Sequence, residues 1–336
     1  MTLFSFILSA MLLLSCGGDD HTNSGSGTGN GESGGGTSGG STSVGVPIKL
    51  ADPTIFRDND GTYYLYGTSS DIGFEVYKST DLEHWSGPCG KATGKFALSK
   101  EDSFGEKWFW APQVFSYGNR YYMAYCADEH LAIASADSPL GPFKQTSKAQ
   151  IPASMRQIDP FVFFDDDGKI YIYHVREVDS NSIYVAELSN DFTTMNESTA
   201  KLCVKAASEG WENVSKSTWP VAEGPTVVKM GDTYYMFYSA NGYTDAAYAV
   251  GVATAKSPLG PWTKPSSPLI STSVIGYNGT GHGDLFTDND GNLQYVMHTH
   301  YSNTEVAPRR TGIVTLQFND GAFHVKDKSF RYLYKQ

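Results

Sequence analysis

The stretch Ala51-Asp52-Pro53-Thr54-Ile55-Phe56-Arg57-Asp58-Asn59-Asp60-Gly61-Thr62-Tyr63-Tyr64-Leu65-Tyr66 holds a polar start, an apolar run, a turn and a Tyr-rich run. Asp, Asn and Gly supply the backbone conformations that a tight hairpin demands, and the aromatic and β-branched flanks favour strands. The unit returns four more times. Its starts read Asp52-Pro53-Thr54, Ala111-Pro112-Gln113, Asp159-Pro160-Phe161, Gly224-Pro225-Thr226 and Gly283-Asp284-Leu285, and the partner runs begin at Thr62, Arg120, Ile170, Thr233 and Leu293. The starts recur every 48 to 65 residues, somewhat longer than the roughly 40 to 50 of propeller repeats, which leaves room for loops.

Each unit continues into a third strand and often a fourth. Ser138-Pro139-Leu140-Gly141-Pro142-Phe143 and Ser257-Pro258-Leu259-Gly260-Pro261-Trp262 are near-copies after two of these third strands. Four strands repeated five times predict an all-β, five-bladed β-propeller over residues 46–336, in which radial repetition protects the sheet edges. A β-sandwich is the other all-β arrangement, but it does not explain matched starts and matched turns. The Asp-rich turns at Asp58, Asp165 and Asp288 are not EF-hands: the twelfth positions hold Ser69, Arg176 and Thr299 where calcium loops carry Glu.

The composition agrees. Among 336 residues, Tyr 21, Phe 18 and Gly 35 with 18% charged residues describe strands and turns around an ample core. A net charge of −11 argues against nucleic acid or an anionic membrane surface and favours a neutral or weakly polar partner. Met1 to Ser15 is apolar but too short to span a bilayer. It ends in Leu13-Leu14-Ser15-Cys16-Gly17, which resembles a lipobox in which Cys16 is lipidated; an ordinary cleaved signal peptide is the alternative. The Gly/Ser/Thr-rich tract 17–45 is expected to be a disordered tether, reaching on the order of 30 Å. Asp19-Asp20 looks like the export signal of surface lipoproteins. The expectation is an outer-membrane lipoprotein at the cell surface, with a periplasmic location as the alternative and the lipid anchor as its sole membrane contact. Cys89, Cys126 and Cys203 lack metal-binding spacing and predict buried thiols or at most one disulfide.

Three repeat starts carry an acid: Asp52, Asp159 and Glu223. Innermost propeller strands line a shared channel, so these carboxyls are expected to converge. Inverting glycoside hydrolysis requires a carboxylate that activates water and a carboxylic acid that protonates the leaving oxygen, roughly 6.5 to 9.5 Å apart. A third carboxylate near the acid would raise its pKa by like-charge repulsion.

With these motifs in view, Leu50 to Phe318 resembles glycoside hydrolase family 43, five-bladed propellers acting on arabinan, xylan and related plant polysaccharides. The resemblance implies Asp52 as general base, Asp159 as pKa modulator and orienter, and Glu223 as general acid. It also implies Trp110 as a sugar-stacking aromatic, Arg309 or Arg310 as a substrate-binding cation, and His282 beside a structural calcium ion in the channel, with no cofactor needed for chemistry. The expected substrate is an arabinose- or xylose-containing oligo- or polysaccharide. The chain ends at Gln336 without the large second β-sandwich of many β-xylosidases in the family, which favours an α-L-arabinofuranosidase or arabinan-acting enzyme over β-xylosidase or exo-galactosidase. A non-catalytic glycan-binding propeller would have no use for all three carboxyls. The sucrose- and fructan-acting propellers carry amides around their nucleophile, where this strand has Ala51 and Thr54.

Overall fold

The computed structural model describes residues 45–336. The expected signal, Cys16 and all but the last residue of the expected tether lie outside them. Five antiparallel sheets follow one another along the chain, each running from its innermost strand outward. The innermost strands are Ala51–Arg57, Trp110–Tyr117, Gln157–Phe164, Ala222–Met230 and Gly281–Thr287, and they neighbour one another in that order around a closed ring. The expected propeller is therefore present. Its blades are unequal: the first and third sheets have four strands and the fifth has five, whereas the second and fourth have three.

The core is divided into five wedges, one between each neighbouring pair of blades. Strand alternation explains this, because every blade is flanked by two others and buries aromatic or branched side chains on both faces. Tyr66, Phe74, Phe109 and Tyr125 fill the first wedge, while Phe237, Tyr295 and Phe323 fill the last. The thiols of Cys126 and Cys203 are buried and that of Cys89 is half-buried; all three are free.

The Asp-rich hairpins do more than turn. Asp58 takes the side-chain hydroxyl of Tyr121 from the second blade at 2.9 Å. Asp165 takes Tyr234 of the fourth blade at 2.8 and 2.9 Å, with Lys229 at 3.2 Å. At the fifth blade the Asn289 backbone N–H donates to the Tyr63 hydroxyl of the first blade at 2.6 Å. The Asp-turn and Tyr-strand motifs therefore fasten each of these blades to the next on the face away from the strand starts.

The ring closes without a covalent link. Val46–Pro47 pairs with Tyr334–Lys335, and the Thr311 hydroxyl both receives the Leu50 N–H and donates to the Leu50 carbonyl. Tyr234→Phe is expected to lower stability by about 1 kcal/mol. Asp165→Ala should cost more, because it leaves the hydroxyl of the buried Tyr234 without its acceptor and removes one of the two carboxylates that Lys229 meets; urea unfolding midpoints at constant slope would report both losses.

Candidate active site

The site starts from the backbone. At the head of each innermost strand one residue adopts a left-handed conformation: Asp52 (φ 47°), Ala111 (47°), Asp159 (55°), Gly224 (60°) and His282 (41°). Each interrupts the ladder with a register shift. For non-glycine residues such backbone costs about 1 to 3 kcal/mol and persists only where surroundings hold it. Here the neighbouring blade provides the hold. The Asp52 N–H donates to His298 Nδ1 at 3.1 Å, Ala111 N–H to Thr68 Oγ1 at 3.0 Å, and His282 N–H to Ser239 Oγ at 2.7 Å. The Gly224 N–H donates to Asp159 Oδ2 at 3.1 Å.

This geometry corrects the sequence alignment of the acids. Asp52 and Asp159 occupy equivalent kinked positions, but Glu223 lies one residue earlier. It pairs across its hairpin with Ser239 as Trp110 pairs with Cys126 and Ala51 with Thr68. Gly224 takes the kink instead, because a Cβ there would lie 2.8 Å from the His282 ring. In the fifth blade the kinked residue is His282 rather than Gly283.

All three carboxyl residues are buried, at 8% (Asp52), 6% (Asp159) and 8% (Glu223) exposure. Arg309 Nη1 lies 2.9 Å from Asp52 Oδ1, and His282 Nδ1 faces Asp52 at 3.4 Å and Asp159 at 3.8 Å. Burial alone would raise the Asp52 pKa, but Arg309 foremost, then His282, outweigh it and hold this carboxyl well below the usual range. Burial pushes His298 far below the ordinary imidazole range, and its Nδ1 accepts a proton donor, so it meets Asp52 as a neutral ring. Burial, then the charge of Asp52, push Asp159 up to about 8. Burial, then Asp159, push Glu223 up to about 7. Asp159 and Glu223 titrate as a pair that retains a proton near neutrality beside an ionised Asp52.

Glu223 is held at both oxygens. Tyr248 donates its hydroxyl to Oε1 at 2.8 Å, and Asn181 Nδ2 donates to Oε2 at 3.2 Å. The Tyr248 ring stacks on His298 with centroids 5.6 Å apart, which links the acid's support to that of Asp52. Asp52, Asp159 and His282, with Thr54, Gln113, Thr226 and Asp284, line a cavity of about 30 Å³, room for about one or two waters.

The other expected site residues divide. Arg309 joins the acids, its guanidinium lying 4.4 Å from the Tyr243 ring centroid. Arg310 turns to the Tyr332 ring and the Tyr334 hydroxyl instead. Trp110 is half-buried, stacked on Trp108 at 5.8 Å and packed against the wedge between the third and fourth blades. His282 is in the site, but its Nδ1 is turned to two carboxylates. A hard cation prefers several oxygen ligands. Among the described residues no three His, Cys, Asp or Glu side chains are grouped to hold an ion. A calcium ion beside His282 would therefore have to be held mainly through water.

Sequence inspection missed His298, Asn181, Tyr248, Thr68 and Ser239. These sit at the ends of second strands and the beginnings of third strands, which open on the same mouth as the blade starts. Pairing the two arms of each hairpin would have found Thr68 and Ser239, opposite Ala51 and Glu223.

A buried carboxylate beside a proton-holding carboxyl pair, at the mouth of a narrowing funnel, is the equipment of an acid–base hydrolase. The model of glycosyl hydrolases family 43 matches residues 42–323. The chain belongs to that family of glycoside hydrolases, which invert configuration at the anomeric carbon. An endo-1,4-β-xylanase crystal structure from Bacteroides thetaiotaomicron is 36% identical, with 86% of this chain and 98% of that chain covered and a TM-score of 0.77. An endo-arabinase from the same organism is 27% identical over 83% of this chain and 99% of its own, with a TM-score of 0.70. The extracellular exo-α-(1→5)-L-arabinofuranosidase of Streptomyces avermitilis is 24% identical over 84% of this chain, which spans 65% of that relative's length.

The charges set a pH profile. Activity should fall on the alkaline side with an apparent pKa between about 7 and 8, as the retained proton is lost. Acid-side activity should persist below the ordinary carboxylate range, because Asp52 stays ionised there. Arg309→Met removes the largest charge favouring that ionised form, so the acid limb of kcat/KM should move upward by at least one pH unit.

Proposed function

We propose that this protein is an inverting exo-acting or arabinan-cleaving α-L-arabinofuranosidase, with Asp52 as general base, Glu223 as general acid and Asp159 as the modulator of Glu223. The observation that carries this reading is the division of charge among the three buried carboxyls: Arg309 keeps one ionised while burial and proximity leave a proton on the other two. Water gives a proton to Asp52 as its oxygen bonds to the anomeric carbon. The bond from that carbon to the leaving oxygen breaks, and the oxygen keeps the electron pair and takes the Glu223 proton. Asp159 accepts the Gly224 N–H, which fixes the backbone next to Glu223, and shares with Glu223 the protons that the pair retains near neutrality. A purely glycan-binding propeller gains nothing from this pairing.

The arabinose assignment is supported by the arabinofuranosidase and endo-arabinase relatives. A second reading, cleavage of β-xylosides, is supported by the 36% identity to the endo-1,4-β-xylanase structure. The substrate would meet the enzyme outside the cytoplasm if Cys16 is lipidated and residues 17–45 form a tether at the cell surface. Mass spectrometry of the native N-terminus tests that point.

Hydrolysis of aryl α-L-arabinofuranoside, β-xyloside and galactoside, with debranched arabinan and xylan, discriminates the sugars. Proton NMR of the first product should show the inverted anomer, and initial retention would overturn the mechanism. Glu223→Gln is expected to lose about 10²- to 10⁴-fold in kcat on substrates with poor leaving groups and much less on activated aryl glycosides. Full activity of that variant would refute the acid assignment. Chelation with EDTA should leave wild-type turnover within twofold.

A further inference from the structure

The stretch between the third and fourth blades places an indole beside the acid. Trp219 is 45% exposed. Its ring N–H donates inward to Asn181 Oδ1 at 2.8 Å. Asn181 is buried, begins the third strand of its blade (Asn181–Leu188), and donates Nδ2 to Glu223 Oε2 at 3.2 Å. Its backbone N–H also donates to the Pro220 carbonyl at 3.1 Å. The segment carrying Trp219 is itself braced: the Asn213 side chain bonds the Ser208 and Ser217 carbonyls and receives the Ser217 N–H.

Hydrogen-bond chemistry gives this chain a direction. An indole N–H can only donate, so the Asn181 atom facing Trp219 must be the amide oxygen, and the amide NH₂ therefore faces Glu223. An NH₂ cannot accept a proton. It favours the ionised acid, the state Glu223 reaches once its proton has gone to the leaving oxygen. The other polar groups facing Glu223 are the Tyr248 hydroxyl from its own blade, Asp159 from the third, His282 from the fifth and Asp52 from the first. Of these, the carboxylates oppose ionisation, and Asn181 works against them. Meanwhile the Trp219 ring, with its one polar atom turned inward, leaves an aromatic face at the surface for a sugar ring.

We infer that Trp219 binds the sugar on the leaving-group side and, through its ring N–H, fixes the Asn181 amide so that this amide assists proton departure from Glu223. Trp219 is a binding residue and Asn181 a positioning residue. Recognition of the departing sugar and strength of the acid thus pass through one side chain. The inference rests on the proposed role of Glu223 and adds a residue-specific coupling to it.

Trp219→Phe keeps the ring and removes the N–H, whereas Trp219→Ala removes both. The probes are α-1,5-arabinotriose, which has a sugar leaving group, and α-L-arabinofuranosyl fluoride, whose leaving group has no ring and needs little protonation. The Phe variant is expected to keep KM for the triose within twofold, lose about 10-fold in kcat and shift its alkaline limb upward by about half a pH unit or more. The Ala variant should add a rise in KM of about fivefold or more. In the Phe variant and in Asn181→Leu the ratio of triose to fluoride kcat/KM should fall about 10-fold, and in the Ala variant about 50-fold. A Phe variant with wild-type kcat and pH profile would overturn the coupling, and equal losses on both probes would reduce Trp219 and Asn181 to structural roles. If the wild type cleaves neither probe, the arabinose assignment fails before the variants are made.

Discussion

One backbone constraint underlies the site: the left-handed residue at the head of every innermost strand. It breaks the ladder, frees an N–H, and in three blades brings the Asp52, Asp159 and His282 side chains together. In four blades that N–H is taken by a neighbouring blade, through His298, Thr68, Asp159 or Ser239. In those four blades the strain is therefore held by the ring, because the acceptor belongs to another blade. Folding and site assembly are one event in this architecture. Asp52 and the Gly224 backbone beside Glu223 thus depend on contacts from an adjacent blade.

The same arrangement accounts for the unequal acidity of chemically similar groups. Asp52 and Asp159 share a conformation and a depth of burial, yet the first is held ionised and the second retains a proton. What differs is the blade opposite. Arg309 enters from the segment before the last long strand and lies against Asp52, while Asp159 faces a backbone N–H and other carboxyls. Identical Asp-Pro motifs thus come to hold opposite protonation states through contacts that local sequence does not contain.

The propeller was legible in the sequence because its signals are local and repeated. Asp-Gly turns, Tyr-rich strands and Pro-containing starts each report their own few residues, and five copies removed the ambiguity of any one. The acids were legible for the same reason. The one-residue offset of Glu223 was visible in the aligned Pro53, Pro160 and Pro225, but its cause, the His282 ring crowding Gly224 from another blade, was not. Arg309 and Arg310 are adjacent in sequence and could not be told apart there; strand alternation sends one to Asp52 and the other to Tyr332. Asn181, Tyr248 and His298 lie outside the repeat starts, and only the tertiary packing brings them to the mouth. The three-stranded second and fourth blades likewise reflect how outer segments pair, which period-two patterning reports weakly.

The seam of the ring has a functional side. It is fastened by a two-residue strand pair and a few hydrogen bonds between Val46–Leu50 and the C-terminal segment. Across that same seam, Asp52 of the first blade meets Arg309, His282 and His298 of the fifth. Parting the seam would separate the ionised carboxylate from the cation that sustains its charge while the other four wedges stayed packed. The acidity of Asp52 is therefore a gauge of ring closure: with the first and last blades joined its pKa is held low, and with them parted it would return to the ordinary carboxylate range.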